Sequence, residues 1–558
     1  MSTAKTRKKP QLPDMNFIVN ETKQKLRGGY YTPLDLAVFI TKWVTENHPE
    51  SLLEPSCGDG VFFQALKALR YPTRSIVGFE LLEEEASKSR ARCPSAPALS
   101  ASIYAEDFLG WAITQMAMGE PKFDGVVGNP PFIRYQYLSE DAQRKAEAIF
   151  DLLHLPFTKH TNAWVPFVLA SISLLKPGGR FGMILPAEII HVMHAQSLRT
   201  YLALTCNRLL IIDPEEIWFD GTLQGVMILF AEKKLHVSHH SDGLGVVQVR
   251  GKEFLNSDPG YMFNTSSRMN GKTVEGKWTR ALLSADERAV LSELEEHPDV
   301  HKFRDIADVD VGIVTGANKF FLVDDETVER FGLGRFSHPM FGRSEHCPGV
   351  IYDDRQHAQN AHSGSPTNFI WINADEKSLG PSVRRYIRLG EAQELHKRFK
   401  CWVRSPWYTV PSVYATEIGM LKRAHDTPRL ILNRLGAYTT DTAYRIAVER
   451  EPEKLVYCFL NALTALSAEL EGRHYGGGVL ELVLTEIEKL LVALPSGVRP
   501  ALHKLDDEVR KSAAVNVLHE QTKIVLGPLG LSVYKQEILL SAWMRLKNRR
   551  QRIGEAEV

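Results

Sequence analysis

Cysteine is scarce in this chain, and no two cysteines stand in a metal-binding spacing. The six cysteines among 558 residues include no CxxC pair, which favours reduced thiols and argues against a zinc ribbon. No apolar run is long enough to span a bilayer, and the basic N-terminus lacks the apolar segment of a signal peptide. We therefore expect a cytoplasmic protein without membrane attachment or bound metal.

Net charge is absent as well, since 67 Lys and Arg residues balance 67 Asp and Glu residues. This balance argues against an unstructured polybasic binder but not against local basic faces. Basic residues concentrate in 1–27, in 384–445, where twelve Lys and Arg accompany five acidic residues, and in 545–552. Such segments inside a neutral chain indicate a polyanion site, and the two terminal runs are equally typical of solvated tails.

The length predicts two or three domains, and the first half of the chain alternates strands with helices. Strands are predicted at 51–55, 75–80, 102–107, 123–130, 180–186, 208–214 and 225–233, and helices after Thr32-Pro33 and at 61–69, 81–92, 108–117, 139–154 and 161–176. This alternation predicts the α/β class with a doubly wound, Rossmann-like parallel sheet. Ligands of such sheets bind outside the carboxyl ends of the strands.

Small, acidic and amide residues follow four successive predicted strands. Residues 54–60 (EPSCGDG) follow the first, although they form neither GxGxxG nor a phosphate-binding loop with GKS/T. Glu80, Asp107-Phe108 and the Asn-Pro-Pro-Phe of 129–132 follow the next three. Singly, such a carboxylate is more typical of a helix N-cap, and Pro-Pro of a rigid turn. Together they predict a nucleoside pocket beside a polar and aromatic clamp.

These residues resemble the S-adenosylmethionine-dependent amino-methyltransferases of DNA, and most closely the TaqI-like gamma class of type II restriction–modification systems. GGYYTPLDLA at 28–37 and LLEPSCGDGVF at 52–62 are similar to the family's cofactor motifs. Residues 129–132 are similar to its catalytic (N/D)PP(Y/F) tetrapeptide, with Phe where Tyr is commoner. The resemblance covers residues 28 to about 500, and the cofactor motif precedes the recognition region, as in the gamma class.

The resemblance implies that S-adenosylmethionine is the cofactor, with Glu80 on its ribose and Asp107-Phe108 on its adenine. The residues implied to bind it are Tyr31, Thr32, Pro33, Glu54, Pro55, Cys57, Gly58, Glu80, Asp107, Phe108 and Asn129.

Catalysis is implied for Asn129, Pro130, Pro131 and Phe132. The Asn129 side-chain oxygen and the Pro130 carbonyl would accept the two N–H bonds of an exocyclic amine, while Phe132 stacks on the base. Phe219 matches the aromatic residue that forms the second wall of the family's base pocket. The neighbouring Trp218 is the alternative, and both positions also fit aromatic residues of a core.

The second half is expected to recognise double-stranded DNA. VGIVTGANKFFLV at 311–323, RSPWYTV at 404–410 and GRHYGGGVLEL at 472–482 resemble parts of the family's target-recognition region. Arg and Asn side chains can read base edges, and Arg and Lys bind phosphate. The candidates for DNA contact are Lys319, Arg398, Arg404, Trp407, Tyr408, Asn433 and Arg434. More than half of the aromatic residues in this region are expected to belong to a core.

The expected organisation is a basic arm at 1–27, a methyltransferase domain at 28–244, a mixed α/β target-recognition domain at 245–500 and a helical extension at 501–558. The expected activity is methylation of adenine N6 in a flipped-out base, which protects host DNA from a cognate restriction endonuclease. No spare segment carries a PD…(D/E)xK nuclease pattern, so any nuclease should be a separate protein. The alternatives are cytosine N4, ribosomal RNA or protein glutamine as substrate, and a catalytically silent DNA-binding regulator.

Overall fold

A nine-stranded sheet forms the centre of the first of two compact units, which comprise residues 1–276 and 277–558. The computed structural model describes residues 32–95, 99–215, 225–269, 276–475 and 478–551. The predicted site residues Tyr31 and Phe219, the alternative Trp218 and the predicted arm at 1–27 lie outside these ranges. Within them, no helix is both long and apolar enough to cross a membrane.

The first unit alternates strands and helices along most of its length. Its strands are β1 Ser51–Glu54, β2 Ser75–Phe79, β3 Ser100–Tyr104, β4 Phe123–Gly128, β5 Leu175–Pro186, β6 Cys206–Pro214, β7 Val226–Lys233, β8 Gly243–Val249 and β9 Arg268–Met269. Its α-helices are α1 Leu34–Thr45, α2 Val61–Ala68, α3 Glu83–Arg92, α4 Phe108–Ala117, α5 Glu140–Leu152, α6 Trp164–Leu174, α7 Gln196–Thr205 and α8 Pro259–Thr265.

The strand order of this sheet is β3-β2-β1-β4-β5-β7-β6-β8-β9. Strands β3, β2, β1, β4 and β5 are parallel to one another, so the predicted α/β class with a parallel sheet is confirmed. Strand β7 instead runs antiparallel between β5 and β6. The connection from Pro214 to Val226 explains this, because it is shorter than the crossover that a parallel neighbour requires.

One face of the sheet is covered by α1 and α2, whose apolar residues join those of the strands in a single core. The Trp43 ring of α1 stacks on Phe230 of β7 with a centroid distance of 4.2 Å. Helix α4 begins where the sequence predicts, because the Asp107 side chain accepts the backbone N–H bonds of Leu109 and Gly110. Helix α7 was not predicted.

The break between the units lies at 276/277 and not at the expected 244/245. Strand β8 pairs in parallel with β6 over seven residues, from Arg208 opposite Gly243 to Pro214 opposite Val249. Strand β9 then pairs with β8. Residues 245–269 therefore extend the first sheet, because its edge strand β6 offers backbone groups that need partners.

The second unit contains four small sheets, in place of one large one, among its described residues. Its strands are β10 Val300–Lys302, β11 Asp308–Val311, β12 Leu322–Val323, β13 Ser337–Phe341, β14 Ile351–Tyr352, β15 Asn368–Ile370, β16 Ile418–Leu421, β17 Arg423–Ala424, β18 Leu430–Asn433, β19 Tyr438–Thr439, β20 Ala443–Ala447, β21 Arg473–Tyr475, β22 Val479–Glu481 and β23 Leu491–Ala493. The sheet orders are β10-β23, β11-β20-β16-β18-β14, β12-β15-β13-β19 and β17-β22-β21.

Helices surround these sheets and close the unit. They are α9 Ala285–Glu295, α10 Asn318–Phe321, α11 Asp325–Phe331, α12 Asp354–His362, α13 Pro381–Ala392, α14 Phe399–Trp402, α15 Pro452–Phe459, α16 Ala462–Glu471, α17 Leu484–Ile487, α18 Leu502–Lys511, α19 Ala514–Leu526 and α20 Val533–Gln551.

The C-terminal helices pack as part of this unit, which differs from the expectation of a separate extension after residue 500. Helix α20 packs on α16 and α9. The buried Arg550 guanidinium lies 2.8 Å from the buried Glu469 carboxylate, and Arg545 pairs with Glu287 at 2.6 Å. The basic run at 545–552 is therefore neither a solvated tail nor a free DNA grip, because its described cations mostly serve ion pairs inside the unit.

Candidate active site

Four loops meet at the carboxyl edge of the first sheet, because β3, β2, β1 and β4 are parallel neighbours. They carry Glu54 at the end of β1, Glu80 after β2, Asp107 after β3 and Asn129 after β4. The Gly58 N–H donates to Glu80 Oε2 at 3.0 Å, which joins the first two loops. Asn129 Nδ2 donates to Thr32 Oγ1 at 3.2 Å, which joins the fourth loop to the segment before α1.

The loop after β1 is held by its backbone and leaves open space at Gly58. The N–H of Cys57, whose side chain is buried, donates to the Phe79 carbonyl at 2.8 Å. Gly58 has φ +51°, and a Cβ there would meet no atom within 4 Å. Gly60 has φ +87°, and its Cβ would lie 2.7 Å from Ser89 Cα. Packing therefore requires Gly60, whereas Gly58 borders space that a ligand can fill.

Glu54 is a buried carboxylate at this edge, 1% exposed. Its Oε2 has no hydrogen-bond partner among the described residues. Burial, followed by the nearby Asp59 and Glu80 charges, raises the pKa of Glu54 well above its usual range. A buried carboxylate in this state favours a cationic or donor group beside it.

Pro55 and Glu80 complete the same edge. Pro55 is buried, and a Cβ on Gly128 would lie 3.4 Å from its Cδ, so the first loop packs directly against the residue before Asn129. Glu80 accepts the N–H bonds of Gly58 and Leu82 at 3.0 and 3.1 Å, one on each carboxylate oxygen. The two bonds fix the carboxylate, and each oxygen keeps a lone pair for another donor.

Asp107 and Phe108 have structural partners of their own. Asp107 caps α4 and forms an ion pair of 2.9 Å with Lys145. Phe108 is buried, and its ring lies 5.5 Å from that of Phe79 and 5.4 Å from that of Phe167. Capping and packing therefore account for both residues, and their contact with a cofactor stays a prediction.

The tetrapeptide at 129–132 directly follows β4. Pro130 is buried, Asn129 and Pro131 are half-buried, and the half-buried Phe132 packs at the margin of the core. The buried Thr32 hydroxyl accepts from Asn129 and does not cap α1. Helix α1 begins at Leu34, with Pro33 at the N-cap and no side-chain cap.

Three residues that sequence reasoning missed fasten the chain after this tetrapeptide. The Ala163 N–H donates to the Ile133 carbonyl at 2.9 Å, and Asn162 Oδ1 accepts the Tyr135 N–H at 3.3 Å. Asn162 Nδ2 and Trp164 Nε1 both donate to Glu188 Oε1, at 2.9 and 3.1 Å. The Asn162–Trp164–Glu188 anchor therefore connects the loop after β4 to the end of β5. The signal in the sequence was a glutamate, Glu188, two residues after the predicted strand at 180–186.

The pKa of the half-buried Glu188 carboxylate is lowered by its neighbours. Burial by itself would raise the pKa of Glu188, but the neighbouring His194 ring and the hydrogen bonds from Asn162 and Trp164 hold it below its usual range. The anchor is thus a charge-assisted one, which is stronger than a bond between neutral groups.

Three of the predicted DNA-contact residues bind protein groups instead. Arg404 donates to the Val314 and Thr315 carbonyls at 2.6 and 2.8 Å. Tyr408 is 2% exposed and donates to the Ala374 carbonyl. Asn433 is buried and donates to the carbonyls of Thr416 and Ala437. These bonds give each residue a structural role, and their assignment to DNA contact stays a prediction.

The other four differ in exposure. Lys319 and Arg398 are exposed. Trp407 is half-buried, with its Nε1 3.3 Å from Glu391 Oε1. Arg434 lies 3.0 Å from Glu453 and 3.2 Å from the His503 ring. Among the predicted positions, Lys319 and Arg398 are therefore the best placed to meet a partner.

Two family models match most of the chain between them. Residues 80–218 match the Eco57I restriction-modification methylase, and residues 275–526 match the C-terminal domain of the type II methyltransferase M.Eco57I. The type II methyltransferase M.AccI of Acinetobacter calcoaceticus is 24% identical over 494 residues, which cover 85% of this chain and 87% of that protein. M.HincII of Haemophilus influenzae is 23% identical over 242 residues, 43% of either chain.

Solved structures show a weaker likeness. The type IIG restriction endonuclease BpuSI is 12% identical, with a TM-score of 0.44 over 94% of this chain and 66% of that one. At such values the likeness carries no functional argument, and the narrower TaqI-like gamma assignment stays a prediction. The family matches and relatives, taken with the tetrapeptide at the end of β4, support the assignment of this chain as a type II restriction–modification methyltransferase.

Proposed function

We propose that this protein transfers the methyl group of S-adenosylmethionine to N6 of a specific adenine in double-stranded DNA. The observation that carries the proposal is the placement of Asn-Pro-Pro-Phe at the end of β4. There Asn129 is tied to Thr32, and the loop that bears Glu54 packs against Gly128. An amide oxygen and a proline carbonyl thus border a pocket edge lined with carboxylates.

The residues of this edge fit S-adenosylmethionine. Glu54 Oε2 is a buried acceptor that lacks a donor among the described residues, and a cationic ligand would supply one. Glu80 is fixed by two backbone bonds and keeps acceptor capacity for the hydroxyls of a ribose. Gly58 faces space into which a ligand can come close to the backbone. When bound, the cofactor supplies a methyl group activated by its sulfonium charge.

The chain's own residues would act by orientation and electrostatics. The amine of adenine is a poor nucleophile, because its lone pair is conjugated with the ring. Asn129 Oδ1 and the Pro130 carbonyl would accept its two N–H bonds and stabilise the ammonium that develops. Phe132 would stack on the base and hold its plane. No strong general base is required, which agrees with the absence of Cys and His from the tetrapeptide.

The reacting amine is buried in duplex DNA, so the base must leave the stack at a cost of a few kcal/mol. Phe219 remains our candidate for the second wall of the base pocket, and its position lies outside the described residues. Methylation of a short recognition sequence would protect host DNA from a separate cognate endonuclease. The likeness to restriction–modification methyltransferases supports this role.

Methylation-aware sequencing of DNA from cells that express the protein tests the proposal. We expect N6-methyladenine in one short motif with the wild type and none with Asn129→Ala. The matched control is Asn47→Ala, which removes an exposed asparagine with one hydrogen bond to the Gly178 carbonyl. Calorimetry should show that Asn129→Ala still binds S-adenosylmethionine. N4-methylcytosine in the motif, or unmodified DNA from the wild type, would overturn the adenine assignment.

A further inference from the structure

Helix α14 and the residue on either side of it expose large apolar side chains on the second unit. Phe399 and Trp402 are each 70% exposed, and Val403 beside them is also exposed. Arg398 and Lys400 are exposed within the same six residues. We call Arg398, Phe399, Lys400, Trp402 and Val403 the α14 patch. Exposed aromatic clusters of this kind mark binding surfaces more often than inert ones.

The backbone beneath the α14 patch is firmly held. The buried Cys401 Sγ lies 3.8 Å from the Thr315 carbonyl oxygen, and Arg404 donates to the carbonyls of Val314 and Thr315. Gly316 has φ +78°, and a Cβ there would lie 2.6 Å from Lys400 Cβ. The helix therefore sits directly on this loop, and its aromatic side chains project from a fixed support.

The charge within residues 397–404 has one sign, although Lys397 pairs with Glu394 just before this segment. Residues 397–404 (KRFKCWVR) contain four basic residues and no acidic one. Neither Arg398 nor Lys400 has an ion-pair partner in the described part of the chain. Lys319, three residues after Gly316, is also exposed. The Lys400 ammonium lies 5.8 Å from the centroid of the Phe399 ring, so cations and ring faces share one surface.

We propose that the α14 patch contacts double-stranded DNA at a distorted step, an inference that rests on the proposed function. Phe399 and Trp402 would stack on bases uncovered when the duplex opens, while Arg398, Lys400 and Lys319 bind the flanking phosphates. Exposed rings among uncompensated cations suit this partner, because base stacking needs a free aromatic face and phosphate needs positive charge. A protein partner fits less well, since lysine is depleted at protein interfaces.

Fluorescence anisotropy tests this inference with two short labelled duplexes. One has a mixed sequence, and the other carries the motif that the wild type methylates. For Phe399→Ala with Trp402→Ala we expect affinity for the motif duplex to fall about tenfold or more, with an unchanged salt dependence. For Arg398→Gln with Lys400→Gln we expect the salt slope on both duplexes to fall by about two. Tyr534→Ala is the control, because Tyr534 is 72% exposed elsewhere in the unit and should change neither.

The inference would be overturned if both double variants bound the two duplexes with the affinity and the salt slope of the wild type. Unchanged DNA affinity with an altered sedimentation coefficient would also overturn it, because the α14 patch would then join copies of the chain. Thermal melts at the wild-type temperature exclude a folding defect. A failure of the proposed function can be distinguished from a failure of this inference. The proposed function is tested by the methylated nucleoside that the wild type makes. This inference is tested by the ratio of variant to wild-type DNA affinity.

Discussion

The two units differ in how well the positions of functional residues can be predicted from the sequence. In the first, residues selected because they follow a strand meet at one edge of the sheet. In the second, residues were predicted from their chemistry and from segments that resemble the family's recognition region, and Arg404, Tyr408 and Asn433 bind backbone groups of their own unit. A parallel sheet gathers strand ends by construction. A unit built of small mixed sheets has no such rule, so its functional residues must be found by exposure.

The largest effect is expected at the anchor behind the tetrapeptide. Glu188→Ala leaves the donors of Asn162 and Trp164 without their acceptor, and should cost about 3 kcal/mol of unfolding free energy. Glu188→Gln keeps an acceptor and should cost about 1 kcal/mol. If the anchor positions the tetrapeptide, kcat should fall in Glu188→Gln while the affinity for S-adenosylmethionine stays constant. If kcat and the affinity for S-adenosylmethionine fall equally, Glu188 only stabilises the fold.

The acid limb of the stability curve tests the same carboxylate. The pKa of Glu188 is depressed in the folded protein. Its contribution to stability is therefore complete above the ordinary glutamate value of about 4.3 and is lost as pH falls through the depressed folded pKa. In Glu188→Gln, chemical unfolding measured across this window should show a weaker loss of stability toward low pH than in the wild type.

Glu54 is expected to lower the stability of the cofactor-free protein but to strengthen cofactor binding. Its pKa is raised in the folded protein, so stability without cofactor should fall as pH rises from about 4.3 toward that raised value. Glu54→Gln removes this fall and should stabilise the cofactor-free protein at neutral pH. It should also weaken S-adenosylmethionine binding about tenfold, the value of a charge-assisted hydrogen bond. Thermal melts and calorimetry measure the two effects, and unchanged affinity would remove Glu54 from the cofactor site.

The glycines of the first loop form a matched pair. Gly60→Ala forces a Cβ against Ser89 at a positive φ and should cost about 2–3 kcal/mol of unfolding free energy. The Cβ of Gly58→Ala meets open space. Only the left-handed backbone conformation should then lower the unfolding free energy, by about 1 kcal/mol. The main effect of this substitution should be on cofactor affinity. If Gly58→Ala leaves that affinity intact, the space at Gly58 is not part of the site.

The smallest effects are expected in the second unit, where two variants distinguish a residue that stabilises the fold from a residue that contacts DNA. Asn433→Ala removes bonds to the turn at Ala437 and should cost about 1–2 kcal/mol of stability without changing the salt slope of DNA binding. Arg398→Gln should leave the melting temperature unchanged and lower that slope by about one. The reverse pattern would show that exposure fails as a guide to DNA contact here.

Much of the first unit could be predicted because its signals are local. Helix α4 was predicted residue by residue at 108–117, since its cap and apolar run are adjacent in sequence. The roles of Thr32 and Asn162 could not be predicted, because both depend on partners distant along the chain, at Asn129 and Glu188. The extension of the sheet by β8 and β9 was missed for the same reason, since pairing with β6 is a long-range choice.

The contact between Arg550 and Glu469 affects the order in which the two units fold during synthesis of the chain. The two residues stand 81 positions apart, and Glu469 lies in the interior of its unit. While the ribosome still holds residue 550, that carboxylate lacks its counter-charge, and the second unit cannot settle into its final packing. The first unit has by then left the exit tunnel, so its folding can begin earlier. A nascent chain should therefore fold its first unit before the second unit reaches its final packing.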